Sequence, residues 1–314
     1  MMAAMMWTGC QDQIEPEEIT GRPEEKTSKT LTVTIQAVKA DAPDTKGLAI
    51  GDNKTEDLTE SLQSIWKDGE TVYVYNGTTS ICTLTLGKND IDATDAHKAT
   101  LKFTTSNLSD GDHQLTLLTP RETMSYEGQT GKLMATDGET DLSIENNFHY
   151  TMATVTATVS GETVTTTPAT FQNQQSIYRL SFRYGATGSN TVTPINTKSV
   201  TISATAQNGG FVKGWNLDGT ATKGDITVNR PATIVNDQPT WDTNPFFVAL
   251  RNSSSNIEEA FTFTVIDGDG VTYKGSKTIP AAYNQNSQFI SIKNTPLTSR
   301  LDLSISATEV TTAL

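Results

Sequence analysis

Cysteine is almost absent from this sequence: 314 residues contain only Cys10 and Cys82, in segments of different character. A disulfide framework needs more cysteines than this. Charged residues are also sparse, at 19% of the chain, and the formal net charge is -13, so nothing here would neutralise the phosphates of a nucleic acid. The apolar residues 1–9 are too few to span a bilayer. These absences exclude a disulfide-stapled fold and argue against nucleic acid as a partner.

Motifs for catalysis are missing as well. The chain has no G-x-S-x-G, H-E-x-x-H or C-x-x-C motif and no phosphate-binding loop. Three histidines lie in separate polar stretches, and we expect them at the surface: His97, His113 and His149. A faint calcium-loop pattern at Asp90, Asp92 and Asp95 lacks the required glycine, because Asp95 occupies its sixth position. We therefore predict no enzymatic activity, no cofactor and no metal site.

What the chain has instead is alternation of apolar and polar residues in a threonine-rich background. Leu31, Val33, Ile35 and Ala37 alternate with Thr and Gln, which predicts a half-buried strand. Four apolar residues then recur at helical spacing and predict a short helix: Leu58, Leu62, Ile65 and Trp66. The following strand, Thr71–Tyr75, ends at Asn76-Gly77, a strong hairpin signal.

Further strand patterns occur throughout the chain. In the first half they are Cys82/Leu84/Leu86, Leu101/Phe103, Leu115/Leu117 and Val155/Ala157/Val159; residues 119–139 are predicted to form loops. In the second half they are Tyr178/Leu180/Phe182/Tyr184, Val200/Ile202/Ala204, Ile226/Val228, Phe246–Leu250, a hairpin Phe261/Phe263/Val265 with Val271/Tyr273, and Phe289–Lys293; residues 207–222 are predicted to form a loop. Strands at this spacing predict an all-β protein. We expect two tandem transthyretin-like or Greek-key β-sandwich domains, residues 31–167 and 168–297, with long loops and at most one short helix.

The beginning of the chain differs from the rest. Trp7-Thr8-Gly9-Cys10 resembles a lipobox, in which Cys10 would be acylated after cleavage, so residues 1–10 are interpreted as the remnant of a lipoprotein signal. The alternative is a disordered Met-rich start with an incidental cysteine. Residues 11–30 are acidic and polar and predict a flexible tether. This pattern implies an outer-membrane lipid anchor and a location at the cell surface.

The end of the chain, residues 298–314, contains one more alternating stretch. Its apolar residues fall on one face: Leu301, Leu303, Ile305 and Ala307. Such a strand is suitable for addition to a sheet of another chain that lacks a strand. It is equally suitable as the last strand of its own second domain, and both readings stay open.

Together these patterns resemble the fimbrillin family, the type V pilus subunits and related surface lipoproteins of Bacteroidales. The residues that carry the resemblance are the lipoprotein start, Trp66-x-x-Gly69-x-x-Val72-x-Val74-Tyr75, and Phe261-x-Phe263 with Tyr273-x-Gly275. The resemblance implies a shaft, tip or anchor subunit of a pilus, with other pilus subunits as partners, and it allows for a host or bacterial surface ligand.

The resemblance also implies a route of assembly. A trypsin-like protease would cut after the first strand, at Lys46 or, as second choice, Lys39, and release the strand carrying Leu31, Val33, Ile35 and Ala37. A cut at Arg22 would leave that strand in place. The groove would then accept the carboxyl-terminal strand of a neighbour, Leu301 to Ala307.

A different function is compatible with the same composition. Two sandwiches on a tether also occur in glycan-binding surface lipoproteins of polysaccharide-uptake systems. Trp66, Trp215 and Trp241 could form a platform for sugar stacking, although large aromatics in sandwiches more often pack in cores. Trp241 lies in a loop-like context and is the best candidate for a ring that faces a ligand.

Overall fold

The structure is a computed structural model that describes residues 29–40, 49–50, 63–133, 142–184, 193–204, 209–231, 246–254, 256–281, 284, 286, 289–297 and 299–301. Within these ranges the all-β prediction is confirmed. The helical elements there include a 3-10 turn at Lys88–Asp90 and one π-helical turn at Ile144–Phe148.

Among the described residues, eleven strands lie before residue 174: β1 Leu31–Lys39, β2 Ala49–Ile50, β3 Gln63–Ser64, β4 Thr71–Asn76, β5 Thr79–Thr85, β6 Lys98–Thr105, β7 Gly111–Thr119, β8 Met124–Ser125, β9 Thr151–Ser160, β10 Thr163–Thr166 and β11 Ala169–Asn173. Eleven more follow: β12 Ser176–Tyr184, β13 Thr193–Pro194, β14 Thr197–Ala204, β15 Phe211–Trp215, β16 Ala221–Gly224, β17 Ile226–Asn229, β18 Phe246–Leu250, β19 Glu259–Asp267, β20 Thr272–Ile279, β21 Phe289–Leu297 and β22 Ser299–Leu301.

The amino-terminal sheet has eight strands in the order β5-β4-β7-β9-β11-β1-β6, with β10 also paired to β9. β11 connects the strands β5-β4-β7-β9 to the strands β1-β6. It pairs with β9 at Gln172 and Asn173 and with β1 from Ala169 to Phe171. Apolar side chains from both parts form one buried cluster, which includes Leu31, Val72, Leu101, Leu115, Val155 and Phe171. β11 therefore belongs to the amino-terminal core, and we propose that the boundary between the two units lies near residue 174.

The carboxyl-terminal unit contains three sheets. β12 is central in the first, with β18 antiparallel, β21 parallel and β13 at its end. The second has the order β17-β14-β19-β20-β22. The third, β16-β15-β8, takes β8 from the first half of the chain. The second core is formed mainly by these strands and includes Tyr178, Phe182, Phe211, Phe246, Phe261 and Phe263.

Several local predictions differ from the structure. Ile65 and Trp66 follow the two-residue strand β3 rather than ending a helix, while Leu58 and Leu62 lie outside the described residues. Cys82 is only half-buried, because a bulge places Val74 opposite Cys82 but Tyr75 opposite Ser80, so that Ile81 turns inward instead.

The predicted loop over residues 207–222 contains a strand. Phe211 to Trp215 forms β15, which pairs with β16 and with β8. Glycine is required where β15 and β16 pair as a hairpin. Gly210 has a φ of +94°, and a Cβ on it would lie 2.7 Å from the Cα of Gly224. Close approach of two backbones therefore explains the glycine content that a sequence pattern assigns to a loop.

Candidate functional site

The first strand, β1, is built into the amino-terminal core. Its burial alternates residue by residue, as the sequence predicts. Leu31, Val33 and Ile35 have no exposed surface and Ala37 is 1% exposed. These four inward-facing side chains, called the inward row of β1 below, therefore contribute to the core along the length of the strand.

β1 forms a longer backbone pairing with one neighbouring strand than with the other. β6 runs antiparallel to it and pairs from Leu31 opposite Thr105 to Val38 opposite Lys98. β11 runs parallel and pairs only with the end of β1, from Ala37 to Lys39. In the middle of β1, the Thr34 carbonyl accepts a hydrogen bond from the hydroxyl of Thr166 at 2.8 Å. Most of the backbone pairing of β1 is thus with the sheet-edge strand β6.

The last residue of β1 is a buried cation. Lys39 Nζ donates to both carboxylate oxygens of Glu70, at 2.7 and 2.8 Å, and to the Ile65 carbonyl at 2.9 Å. The same nitrogen lies 4.4 Å from the centroid of the Trp66 ring. Burial lowers the pKa of Lys39, and the neighbouring Glu70 carboxylate opposes that shift.

Glu70 has further donors besides Lys39. The Thr119 hydroxyl donates to its carboxylate at 2.7 Å and the Lys67 backbone N–H at 3.2 Å. The Trp66 ring packs edge-on against Phe171 of β11, with ring centroids 4.9 Å apart. This cluster therefore ties the end of β1 to the turn before β4, to β7 and to β11.

A cavity of about 310 Å³ lies beside the cluster, and its lining includes Lys39, Lys67, Glu70, Glu145 and His149. Lys67 pairs with Glu145, as Lys39 does with Glu70, so the lysine and glutamate charges cancel. His149 is buried, contrary to the prediction of a surface position. Burial, aided by the charge of Lys39, lowers its pKa to about 3, so the ring is neutral at physiological pH.

The charged groups of this cluster hold neighbouring strands together. Its charged groups already satisfy one another, and the ring of His149 resists protonation. Across the described ranges, no group of three or more histidine, cysteine, aspartate or glutamate side chains is arranged to hold a metal ion. The Asp92 carboxylate accepts hydrogen bonds from Thr94 and Asp95 within its own loop.

Histidines 97 and 113 also have structural partners. Both are half-buried rather than fully exposed. A ring nitrogen of His97 lies 2.9 Å from the Ser64 carbonyl, and His113 bridges Asn76 and the Ser109 carbonyl. The Asp267 carboxylate accepts hydrogen bonds from the backbone N–H groups of Asp269 and Val271 within the β19–β20 turn.

The structure brings some of the predicted site residues together and leaves others outside its range. The row of β1 and Lys39 form the site described above. Leu301 ends β22 and pairs with Thr272 of β20 in its own chain. The remaining candidates lie outside the described residues: Cys10, Lys46, Trp241, Leu303, Ile305 and Ala307.

The tryptophans do not form one platform. Trp66 is 2% exposed and belongs to the amino-terminal core. Trp215 is half-buried, and the Arg251 guanidinium lies 5.5 Å from its ring centroid. Trp241 lies outside the described residues, so glycan binding through its ring stays a prediction.

Sequence reasoning overlooked Glu70 and the buried role of Lys39. A signal was present, because residue 39 continues the inward series 31, 33, 35 and 37. A lysine on the buried face of a strand requires a counter-charge. Which acid supplies it is not apparent from sequence, since Glu70 is distant along the chain.

Comparison with known proteins gives only remote similarities. No protein-family model matches the chain, and no curated protein matches it. Among solved structures, the chain is similar to a candidate adhesin from Bacteroides ovatus at 10% identity, covering 92% of this chain and 99% of that one, with a TM-score of 0.37. A candidate cell adhesion protein from Parabacteroides distasonis gives 10% identity, coverage of 87% and 95%, and a TM-score of 0.36.

A third similarity is to the major pilin of Streptococcus pyogenes, at 12% identity, coverage of 86% and 96%, and a TM-score of 0.20. Similarities this weak carry no argument about family or function. Separately, the described residues include no helix that is both long and apolar enough to cross a bilayer.

Proposed function

We propose that this chain is a structural subunit of a cell-surface polymer, a shaft, tip or anchor subunit of a pilus, and that it has no catalytic role. Other subunits are its partners. It reaches the outer membrane as a lipoprotein acylated at Cys10, and proteolysis followed by strand exchange assembles it. The observation that supports this most directly is β1, the first strand that the structure describes, whose inward-facing side chains complete the core of the amino-terminal sheet.

The position of β1 makes it separable by one cut. It is the first strand among the described residues, and residues 41–48 lie between it and β2 in the sequence. A cut in that connection leaves β1 attached by non-covalent contacts alone. Burial of its three large aliphatic side chains contributes roughly 5–9 kcal/mol gross. A strand with an equivalent row recovers that contribution when it replaces β1.

Loss of β1 creates a surface that favours replacement. The N–H and C=O groups of β6 that face β1 would be unpaired from Lys98 to Thr105. Unpaired strand edges and exposed core residues promote association with another strand. The carboxyl-terminal strand of a neighbouring copy, Leu301 to Ala307, has the required alternation.

The cut is assigned to Lys46 rather than Lys39. The Lys39 side chain is 4% exposed and is held by Glu70 and Trp66. A trypsin-like protease must extract the lysine side chain into its own pocket, which would break these contacts. Lys46 lies in the Thr45-Lys46-Gly47 connection, where a cut separates β1 from the rest of the chain.

The test uses the chain beginning at Gln11, treated briefly with trypsin. We expect cleavage after Lys46 by mass spectrometry and the appearance of polymers by size-exclusion chromatography and electron microscopy. A Lys46→Gln variant should stay joined between β1 and β2 and remain monomeric. A Leu303→Asp/Ile305→Asp variant should be cut at the same bond without polymerising. Trimmed protein that has lost β1 and stays monomeric with an intact carboxyl-terminal strand would refute the assembly role.

A further inference from the structure

The cavity beside Lys39 has a polar wall whose charges largely balance. Its volume of about 310 Å³ lies at the lower end of the range of ligand-binding pockets. Lys39 is paired with Glu70, and Lys67 with Glu145. Asp68 also lines the cavity, but it is exposed, so water and salt screen its charge. The cavity therefore has room for one small molecule and little net charge to attract an ion.

His149 contributes a buried polar atom to this wall. The residue lines the cavity and is 7% exposed, and no group among the described residues forms a hydrogen bond with its Nε2 atom. A buried polar atom without a partner costs free energy, which is recovered when water or a ligand binds beside it. Because the ring is neutral, Nε2 either donates or accepts a hydrogen bond, according to the tautomer.

Lys67 contributes donors to the same cavity. Its ammonium group has three N–H bonds, and in the described part of the chain the acceptor for this group is Glu145. The Lys67 side chain is 34% exposed, so its other N–H bonds are accessible to a ligand. Lys39, by contrast, already donates to both carboxylate oxygens of Glu70 and to the Ile65 carbonyl. Lys67 and His149 therefore have hydrogen-bonding capacity that a ligand can use.

We propose that this cavity binds one small uncharged polyhydroxy molecule, the size of a single sugar ring, through hydrogen bonds to Lys67 and His149. A hydroxyl group both donates and accepts, so it suits a ring nitrogen of either tautomer and a wall that contains ammonium and carboxylate groups together. Ile65 and Pro120 also line the cavity and offer apolar contact to the C–H groups of such a molecule. Binding here does not require strand exchange.

An ion fits the same wall less well. An anion beside Lys67 would also face the carboxylates of Glu70 and Glu145, and a cation beside those carboxylates would face two ammonium groups. Taking an ion out of water costs free energy that an already paired charge offsets poorly. An uncharged molecule leaves both ion pairs intact. Its affinity should therefore change little between about 0.01 and 0.3 M salt.

The experiment uses the untrimmed chain beginning at Gln11 and saturation-transfer NMR titrations. The probes are glucose, galactose, mannose, fucose and N-acetylglucosamine, each as the free sugar and as its methyl glycoside. We expect at least one of them to bind with a dissociation constant of about 1 mM, as is reasonable for so small a ligand. Equal binding of the methyl glycoside indicates the terminal unit of a glycan chain, and binding of the free sugar alone indicates a monosaccharide.

Two variants remove the proposed contacts without leaving a buried charge unpaired. His149→Phe replaces a neutral ring with an apolar ring, and Lys67→Met/Glu145→Gln removes both members of an ion pair. Each should weaken sugar binding by about tenfold, because each removes a hydrogen bond to the ligand. Thermal unfolding shows whether each variant is folded, and if one is not, the other decides.

The matched controls make the same changes outside the cavity. They are His113→Phe and Lys98→Met/Asp95→Asn, whose residues do not line it, and both should bind the sugar as the unchanged chain does. If none of the sugars binds, or if both site variants retain full affinity, the proposed site is wrong. Displacement of the sugar by acetate or phosphate would overturn the uncharged ligand class. These results are independent of polymer assembly, so the two proposals fail separately.

Discussion

At the scale of single residues, Lys39 shows how one charge can be stable inside a core of aliphatic side chains. Its ammonium group has two carboxylate oxygens, one carbonyl and one aromatic face around it. A buried charge is tolerated only when it is paired and hydrogen-bonded in this way. The ion pair therefore fixes where β1 ends against the turn at Glu70, and removing one partner has a different effect from removing both.

We expect Lys39→Met to lower the free energy of unfolding by about 3 kcal/mol, because Glu70 remains buried without its cation. Glu70→Gln should have a similar effect on Lys39. The Lys39→Met/Glu70→Gln double variant should lose clearly less than the sum of the two, and urea denaturation of all four proteins measures the difference. Strictly additive losses would show that the pair does not act as a unit.

His149 provides a second residue-scale prediction, for pH. Its pKa is about 3 in the folded chain, against 6.5 for an ordinary histidine, because of burial and the charges of Lys39 and Lys67. Between those values the unfolded chain binds the proton and the folded chain does not. The stability that depends on neutral His149 is therefore complete above pH 6.5 and is lost as pH falls toward 3, by at most about 1.4 kcal/mol per pH unit.

A His149→Gln variant has no such titration. We expect the difference in unfolding free energy between wild type and variant to shrink steadily from neutral pH toward acid. Chemical denaturation at several pH values gives this difference, and the titration of other groups cancels in it. Parallel curves would mean that His149 is protonated equally in both states.

At the scale of elements, the strands differ in how closely the burial of their side chains follows the alternation of apolar and polar residues. β1 and β9 alternate along their full length. The pattern Tyr178/Leu180/Phe182/Tyr184 predicts alternation in β12 too, but the first five residues of this strand are all buried. It lies between β18 and β21 in its sheet, and Arg179 is buried together with its apolar neighbours.

Two hairpins allow an element-scale prediction about glycine. Gly77, in the β4–β5 turn, has a φ of +61° and open space around a built Cβ, whereas Gly210 has a positive φ and the backbone of Gly224 at 2.7 Å. Gly77→Ala should cost about 1 kcal/mol, from the backbone conformation alone. Gly210→Ala should cost roughly 3 kcal/mol, because the β15–β16 hairpin must also move apart. Equal losses in thermal or urea unfolding would contradict the role of the close approach.

At the scale of the whole molecule, the segment between β7 and β9 connects the two units. Met124, Tyr126 and Phe148 come from this segment, yet they belong to the carboxyl-terminal core. β8 pairs with β15, and the Tyr126 hydroxyl donates to Gln175 at 3.1 Å. Residues that were predicted to form loops thus join the two halves through buried contacts.

Much of this protein was determined by its sequence alone. Alternation predicted β1 with its inward row and the strands of the β19–β20 hairpin, because side-chain direction in a strand follows from position along the strand. Asn76-Gly77 predicted the β4–β5 hairpin, and the continuous apolar stretch Phe246–Leu250 predicted β18. The turn between β4 and β5 lies one residue later than expected, since Asn76 still pairs with Thr79.

Only the tertiary structure decided which distant residues meet. The partner of Lys39 lies 31 residues away, and that of the Tyr126 hydroxyl lies 49 residues away. A period of two along a strand indicates which way a side chain points, but not what the facing element contributes. The burial of His149 and Arg179 was decided in the same way, by elements that fold over them from elsewhere in the chain.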